Sequence, residues 1–433
     1  MNASVPIWLG IVLILLPAMA GADLARRTYL GLQFDLSDRE GPGLLVERVL
    51  PRSTAESAGM RAGDRLTSVG RVEVLDEFDE LRAELERTPA GERIPLRWYR
   101  DRNRVIRVAP ALATLPVEEM PGSLVRYESV SVDGIGQRLI VSEPVAGQAR
   151  GLVLYLSGLG CASHDYWLET TSPIKQLLDG WARAGFATAR LEKRGVGDSQ
   201  GGDCRELGFE DERRGYSAAL AHLAERGFAG RIFLFGHSLG GIIAPLVVTD
   251  AVAGVMVYGT VSQPWYDYVM ENFERQDRLA GLSPEEVEQR RSLRSEFQQG
   301  LLFAGEPPVK LIERIPESRS LPDVQLADDF HYFDRSVPFF MELAALDPAR
   351  AWRQVWQPVL ALHGEYDWVS ARADHERIAR LTGGKFQSLP RMDHGFLVYE
   401  SLEESFNAQG TGVFAPGVVE ATLAWMATQV SAR

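Results

Sequence analysis

The sequence predicts two folding units, a small β+α domain followed by an α/β domain with a mainly parallel sheet, helices on both faces and a helical lid. From residue 123 onward, short apolar runs alternate with helix-compatible stretches, the pattern of parallel strands joined by crossover helices. Residues 28–113 instead hold strand-like runs, glycine turns and one amphipathic helix. Residues 263–355 interrupt the later alternation with helix formers, where Ser283–Pro284–Glu285–Glu286 supplies a capping box and a proline at the first helical position. A chain of 433 residues is long enough for two cores.

The chain is 45% hydrophobic and 24% charged, as expected for a soluble globular protein. Its formal charge of −13 argues against nucleic acid or an anionic membrane surface as partner. Residues 5–16 are apolar, Pro17 ends the run, and Ala18–Met19–Ala20 offers the small residues of a signal-peptidase site. A signal peptide over residues 1–20, cleaved after Ala20, implies a periplasmic or secreted protein with no stable membrane span. The alternative is an uncleaved N-terminal anchor, because no Lys or Arg precedes the apolar run while Arg26 and Arg27 follow it.

In the first unit, strands are expected at residues 43–50, 65–69, 94–99 and 105–110. Leu75, Phe78, Leu81 and Leu85 recur at helical spacing. The stretches Tyr29–Leu30–Gly31–Leu32–Gln33–Phe34 and Ser53–Thr54–Ala55–Glu56–Ser57–Ala58–Gly59–Met60–Arg61–Ala62–Gly63–Asp64 resemble a bacterial PDZ domain. The resemblance implies that Leu30, Gly31 and Leu32 form a loop whose N–H groups hold the carboxylate of a peptide C-terminus, against the helix bearing Phe78 and Leu81. The alternative is a domain that packs on its neighbour with its groove empty or filled in cis. Residues 114–122, with two prolines and two glutamates, read as a linker.

The second unit, residues 123–433, opens with a hairpin (125–132 and 137–142) around Asp133–Gly134. Strands follow at 152–156, 187–191, 232–235, 254–258, 359–362 and 386–389, with a helix over 173–184. The segment Arg231 to Gly241 is an apolar run, then Gly236–His237–Ser238–Leu239–Gly240, then a small apolar helix. On a strand–turn–helix, G-x-S-x-G strains the serine backbone and presents its Oγ at a helix N-terminus, and the glycines let strand and helix approach. The bare pattern is weak; its context makes Ser238 a candidate nucleophile.

A serine needs a base and an orienting acid. Of the seven histidines, His222 and His375 fall within helices, and His237 adjoins the serine with its ring directed elsewhere. His363 ends a strand. His331 in the lid and His164 after the first parallel strand are placed where either could touch substrate. His394, on the loop after the last strand, stands where a base belongs. Asp367, after the preceding strand, is the expected acid, with Glu365 as competitor; Asp393 is too close in sequence to face His394.

Here the residues resemble the α/β-hydrolase superfamily, in the chain order Ser…Asp…His. Gly364–Glu365–Tyr366–Asp367 and Asp393–His394–Gly395–Phe396 match its motifs, and the lidded serine-aminopeptidase and esterase-like branch is the nearest in pattern. The resemblance implies an oxyanion hole from the N–H of Leu239 and that of Leu159 or, as alternative, Gly160; Ser157 departs from the His-Gly often found in that loop. Glu192 to Ser199 resembles a loop that scaffolds the site. Cys161 and Cys204 would fall at the same end of the sheet and are expected to pair, bracing the oxyanion loop.

No metal-spaced His/Cys cluster or phosphate loop occurs in the sequence, so no metal or cofactor is expected. These readings imply a serine hydrolase acting on carboxylic esters or related acyl substrates, with a peptidase as runner-up and a PDZ scaffold bearing an inactive hydrolase domain as the alternative of another class. Trp265, Tyr266, Phe330, Tyr332 and Phe333 are expected either to line an acyl pocket or to form the lid's own core.

Overall fold

The computed structural model describes residues 24–38, 40–74, 78–101 and 104–431, so the expected signal peptide and Leu75 lie outside the described residues. Among the described residues, no helix is long and apolar enough to cross a membrane.

The larger sheet has eight strands in the spatial order Lys385–Leu389, Val359–Gly364, Val252–Tyr258, Ile232–His237, Leu152–Leu156, Ala187–Leu191, Ile135–Pro144 and Ser123–Val132. The last two form the antiparallel hairpin, and Ile135–Pro144 also runs antiparallel to Ala187–Leu191. The other neighbours are parallel. Every residue of Leu152–Leu156 is buried because helices cover both faces. Alternation along that strand sends Leu152, Leu154 and Leu156 into the core under Phe209–Leu223 and Leu239–Val247. Val153 and Tyr155 go into the core under Pro173–Arg183 and Gly417–Ser431.

Between the neighbouring strands Val252–Tyr258 and Val359–Gly364 the chain makes a helical insertion of Trp265–Leu279, Pro284–Phe303, Pro308–Arg314, Val337–Ala344 and Pro348–Arg353. Its second helix begins as the sequence predicts: the Glu286 N–H donates to Ser283 Oγ at 3.3 Å, and the Ser283 N–H donates to Glu286 Oε2 at 2.8 Å. Tyr332, fully buried, donates its hydroxyl to Asp323 at 3.0 Å and accepts from Gln298 at 2.7 Å. It therefore belongs to the insertion's own core.

The smaller sheet orders Leu32–Asp35, Leu44–Val49, Arg65–Val69, Leu96–Arg100 and Arg104–Val108 as neighbours. Leu30, Val46, Leu66, Leu81 and Trp98 share its core with the helix Phe78–Arg87. Gly31 has φ +75°, and a Cβ there would fall 2.1 Å from that of Ser53, so only glycine fits this turn.

The segment preceding the smaller unit clasps the larger one. Arg26 donates to Asp198 at 2.6 Å and lies 3.8 Å over the Tyr127 ring, while the Arg27 N–H reaches the same carboxylate at 2.8 Å. Buried Arg138 adds a bond to Asp198 at 3.2 Å and another to the Leu24 carbonyl at 2.5 Å. A buried carboxylate needs such partners, and no local pattern marks residues before the first strand as their source.

Candidate active site

Ser238 sits between strand Ile232–His237 and helix Leu239–Val247 with φ 54° and ψ −121°, a conformation that costs a non-glycine residue about 1–3 kcal/mol. Its neighbours explain how the turn survives. A Cβ on Gly236 would lie 2.6 Å from the Gly240 carbonyl oxygen, and one on Gly240 would lie 2.1 Å from that of Leu156. Gly241, third in the run, packs against Thr260 at 2.4 Å by the same measure. The Ser238 N–H is held by the Tyr258 carbonyl at 3.0 Å.

His394 and Asp367 are joined: Nδ1 of His394 lies 3.0 Å from Oδ2 of Asp367. Asp367 also accepts from Ser370 Oγ at 2.6 Å and from the N–H groups of Val369 and Ser370 at 2.8 Å each. Burial opposes its ionisation, but His394 and these donors outweigh burial and hold the carboxyl below the usual range. Burial likewise disfavours charge on His394, and Asp367 overcomes it, so the imidazole pKa is raised. Glu365 instead accepts the Arg391 N–H at 2.9 Å, and Asp393 caps the N–H groups of Gly395 and Leu397 at 2.8 Å each.

The His394 loop is gripped by its carbonyls. The Tyr258 hydroxyl donates to the Asp393 carbonyl, and His237 Nε2 donates to that of His394 at 3.0 Å. A carbonyl only accepts, so His237 carries its proton on Nε2 and can accept from Tyr155 on Nδ1 at 3.3 Å. Burial, with His394 nearby, pushes the His237 pKa down to about 3 and keeps the ring neutral.

Gly259, unremarked in the sequence, joins the two halves of the site. It has φ +63°, and a Cβ there would lie 2.8 Å from His394 Nδ1 and 3.3 Å from Asp367 Oδ2. It also lines, with Ser238, Leu239 and Leu159, a cavity of about 330 Å³. Ile242, Val261, Trp265, Val269, Phe273 and Trp368 make that cavity largely apolar. Ser157 is anchored by the Tyr216 hydroxyl, 2.9 Å from both its N and its Oγ. Gly160 is exposed, outside the cavity lining. Cys161 and Cys204 are disulfide-bonded, as expected.

Residues 147–291 match the family described as "Serine aminopeptidase, S33", and residues 45–100 match the PDZ domain family. The chain joins a PDZ domain to an α/β-hydrolase domain. Over 80 residues it is 39% identical to the "Probable periplasmic serine protease do/HhoA-like" of Haemophilus influenzae, covering 18% of this chain and 15% of that protein. The chain thus spans about 15% of the length of that relative. Among solved structures, Est1E from Butyrivibrio proteoclasticus with ferulic acid bound is 16% identical over 70% of this chain and 99% of that one, with a TM-score of 0.45. An esterase from Thermogutta terrifontis, malate bound, is 18% identical over 71% and 98% of the two chains, with a TM-score of 0.39.

In the hydrolase domain, the other residues singled out in the sequence divide between the cavity and its surroundings. His164 is buried and bonded to Tyr166 at 2.9 Å, and His331 bonds Glu206 at 2.7 Å and Asp328 at 2.9 Å. Neither lines the Ser238 cavity. Of the five aromatics, Trp265 and Phe333 line it, Tyr266 faces a polar cleft beside Ser295, and Phe330 is exposed. In the PDZ domain, Leu30 is buried with its carbonyl bonded to the Ala55 N–H at 3.0 Å, and Leu32 begins the edge strand of the sheet.

Proposed function

We propose that this protein is an exported serine hydrolase that cleaves carboxylic esters through an acyl-enzyme. The observation that carries the reading is the Asp367–His394 pair, which meets Gly259 on the wall of the apolar cavity that also holds Ser238. In this reading Ser238 Oγ attacks the acyl carbon while His394 Nε2 takes the hydroxyl proton and Asp367 stabilises the imidazolium. The N–H groups of Leu239 and Leu159 receive the oxyanion. The tetrahedral adduct collapses, the C–O bond breaks, and His394 returns the proton to the leaving alcohol. Water, deprotonated by His394, then releases the acid and restores Ser238.

The division that goes with this reading is a PDZ domain over residues 28–113, a linker over 114–122 and a hydrolase domain over 123–433 whose lid spans 263–355. The disulfide and the relative named as periplasmic support an address outside the cytoplasm. The PDZ domain is assigned the recruitment of a peptide C-terminus. A peptidase is the second reading, favoured by the match to a family described as serine aminopeptidase. A panel of p-nitrophenyl esters against aminoacyl p-nitroanilides separates them. Turnover of esters at least about a hundredfold faster in kcat/KM supports the esterase; the reverse order replaces it with the peptidase.

A further inference from the structure

Beneath the loop of residues 157–161, three charged side chains from three separate elements meet in the interior. Lys193 follows strand Ala187–Leu191, Glu212 lies on helix Phe209–Leu223, and Arg335 comes from the short strand Arg335–Ser336 of the helical insertion. All are buried. Lys193 Nζ is 3.2 Å from Glu212 Oε2, and Arg335 NH1 is 2.5 Å from Glu212 Oε1. Such a buried group is a poor route to stability, because well-packed apolar residues often serve as well or better. Its contacts suggest another use. Lys193 Nζ donates to the carbonyls of Gly158 at 2.7 Å and Leu159 at 3.2 Å, and Arg335 NH1 donates to the same Leu159 carbonyl at 3.2 Å.

Those two carbonyls belong to the peptide units whose N–H groups are those of Leu159 and Gly160, the two candidates for the second oxyanion donor. Among the described residues no peptide is cis, and in a planar trans unit the N–H points opposite the C=O. Fixing both carbonyls on the buried cations therefore fixes both N–H directions away from them. The loop also lies against the nucleophile: a Cβ on Gly158 would be 3.4 Å from Ser238 Cβ and 3.8 Å from its Oγ. A cation on a carbonyl oxygen further polarises the peptide and strengthens its N–H as a donor.

We infer that Lys193 and Arg335, held by Glu212, are positioning residues that aim the oxyanion-hole peptide of the 157–161 loop at the reacting centre. Arg335 makes this aim depend on the seating of the helical insertion. It also reaches the disulfide, with NH1 3.7 Å from Cys161 Sγ and 3.8 Å from Cys204 Sγ, so brace and disulfide hold one loop from one side. Burial lowers the Lys193 pKa to about 8 while Glu212 opposes the shift, leaving the ammonium charged at neutral pH. The inference rests on the hydrolase reading above.

The test compares the full-length wild type with Lys193→Met, which leaves Glu212 paired to Arg335, and with Arg335→Lys, which keeps the charge but shortens its reach to Leu159. Kinetics on a p-nitrophenyl ester are paired with inhibition by a trifluoromethyl ketone, whose adduct places an oxyanion in the hole. Loss of one oxyanion donor costs about 10²–10³ in kcat, so misaiming one should cost about 10–100-fold. The expected result is that fall in kcat with KM within about threefold, and ketone affinity reduced by the same factor as kcat/KM. Lys193→Arg should recover part of both. Should Lys193→Met melt at the assay temperature, Arg335→Lys carries the test, with a smaller effect in the same direction. A folded variant with kcat within twofold of wild type, or one that loses kcat with ketone affinity unchanged, overturns the inference and leaves the hydrolase reading standing. A folded wild type with no turnover overturns both.

Discussion

His394 meets Asp367 at 3.0 Å, and the carboxylate it meets is already bonded by Ser370 Oγ at 2.6 Å. A side chain so restrained holds the imidazole in one tautomer and one orientation. If the proposed triad operates, Asp367→Asn should lower kcat by about 10³–10⁴ with little change in KM, as replacing the acid does in serine triads. Ser370→Ala removes one of several donors and should cost only about threefold to tenfold. Steady-state kinetics on one ester checks both; equal effects would place the two residues in the wrong order.

Gly259→Ala should damage the site without touching a titratable group. Its Cβ would meet His394 Nδ1 at 2.8 Å, and φ +63° is strained for alanine. The expected loss is at least about tenfold in kcat, with about 1–3 kcal/mol of stability. Kinetics and a denaturant melt measure the two effects; a variant indistinguishable from wild type would mean the pair has room to move.

Activity should rise with pH. In the proposed mechanism His394 must be neutral to accept the serine proton, and Asp367 raises its pKa above the ordinary 6.5. The profile of kcat/KM should thus climb to a plateau with an apparent pKa above 6.5. The same pair stabilises the fold fully below the unfolded-state pKa, and that contribution is lost as the pH rises through the raised value. An apparent pKa below 6.5 would contradict the assignment of His394 as base.

Acid should destabilise the protein from about pH 6.5 downward, through its buried histidines. Burial pushes His164, His237 and His375 down to about 3 each. The unfolded chain binds protons near pH 6.5 that these native rings refuse. Stability is therefore fully present above that pH and falls as the pH drops toward about 3, by about 1.4 kcal/mol per pH unit for each fully titrating ring. Circular dichroism against pH should show a cooperative transition between about pH 6 and 4. A native signal persisting at pH 3 would show these rings to be less buried than described.

The disulfide ties the loop of residues 157–161 to the short 3-10 helix that starts at Cys204, across a sequence separation of 43. Cys161→Ser with Cys204→Ser, or reduction, should cost about 2–4 kcal/mol of stability and lower kcat. Thermal melts and kinetics with and without reductant test this; unchanged kcat in the folded, reduced protein would show the loop aim to be independent of the bond.

What could be read from the sequence was what local chemistry dictates. Gly236, Ser238 and Gly240 announce the elbow because a sharp strand–turn–helix admits few residue types, and Asp367 and His394 each follow a recognisable strand. Gly259 and Ser370 gave no such sign, since their roles exist only once separate strands stand side by side. Lys193 lies in a motif readable only as scaffolding, and its partner Arg335 comes from 142 positions later, within an insertion without strand periodicity. Aromaticity alone likewise could not tell Trp265, on the cavity wall, from Tyr332, inside the insertion's core.

The central claim is that Ser238 is an activated nucleophile, and covalent labelling tests it most directly. Incubated with a fluorophosphonate and analysed by intact mass, the wild type should gain one adduct, located by peptide mapping at Ser238. Ser238→Ala should gain none. A folded wild type that remains unlabelled, or an adduct that persists in Ser238→Ala, would contradict the account.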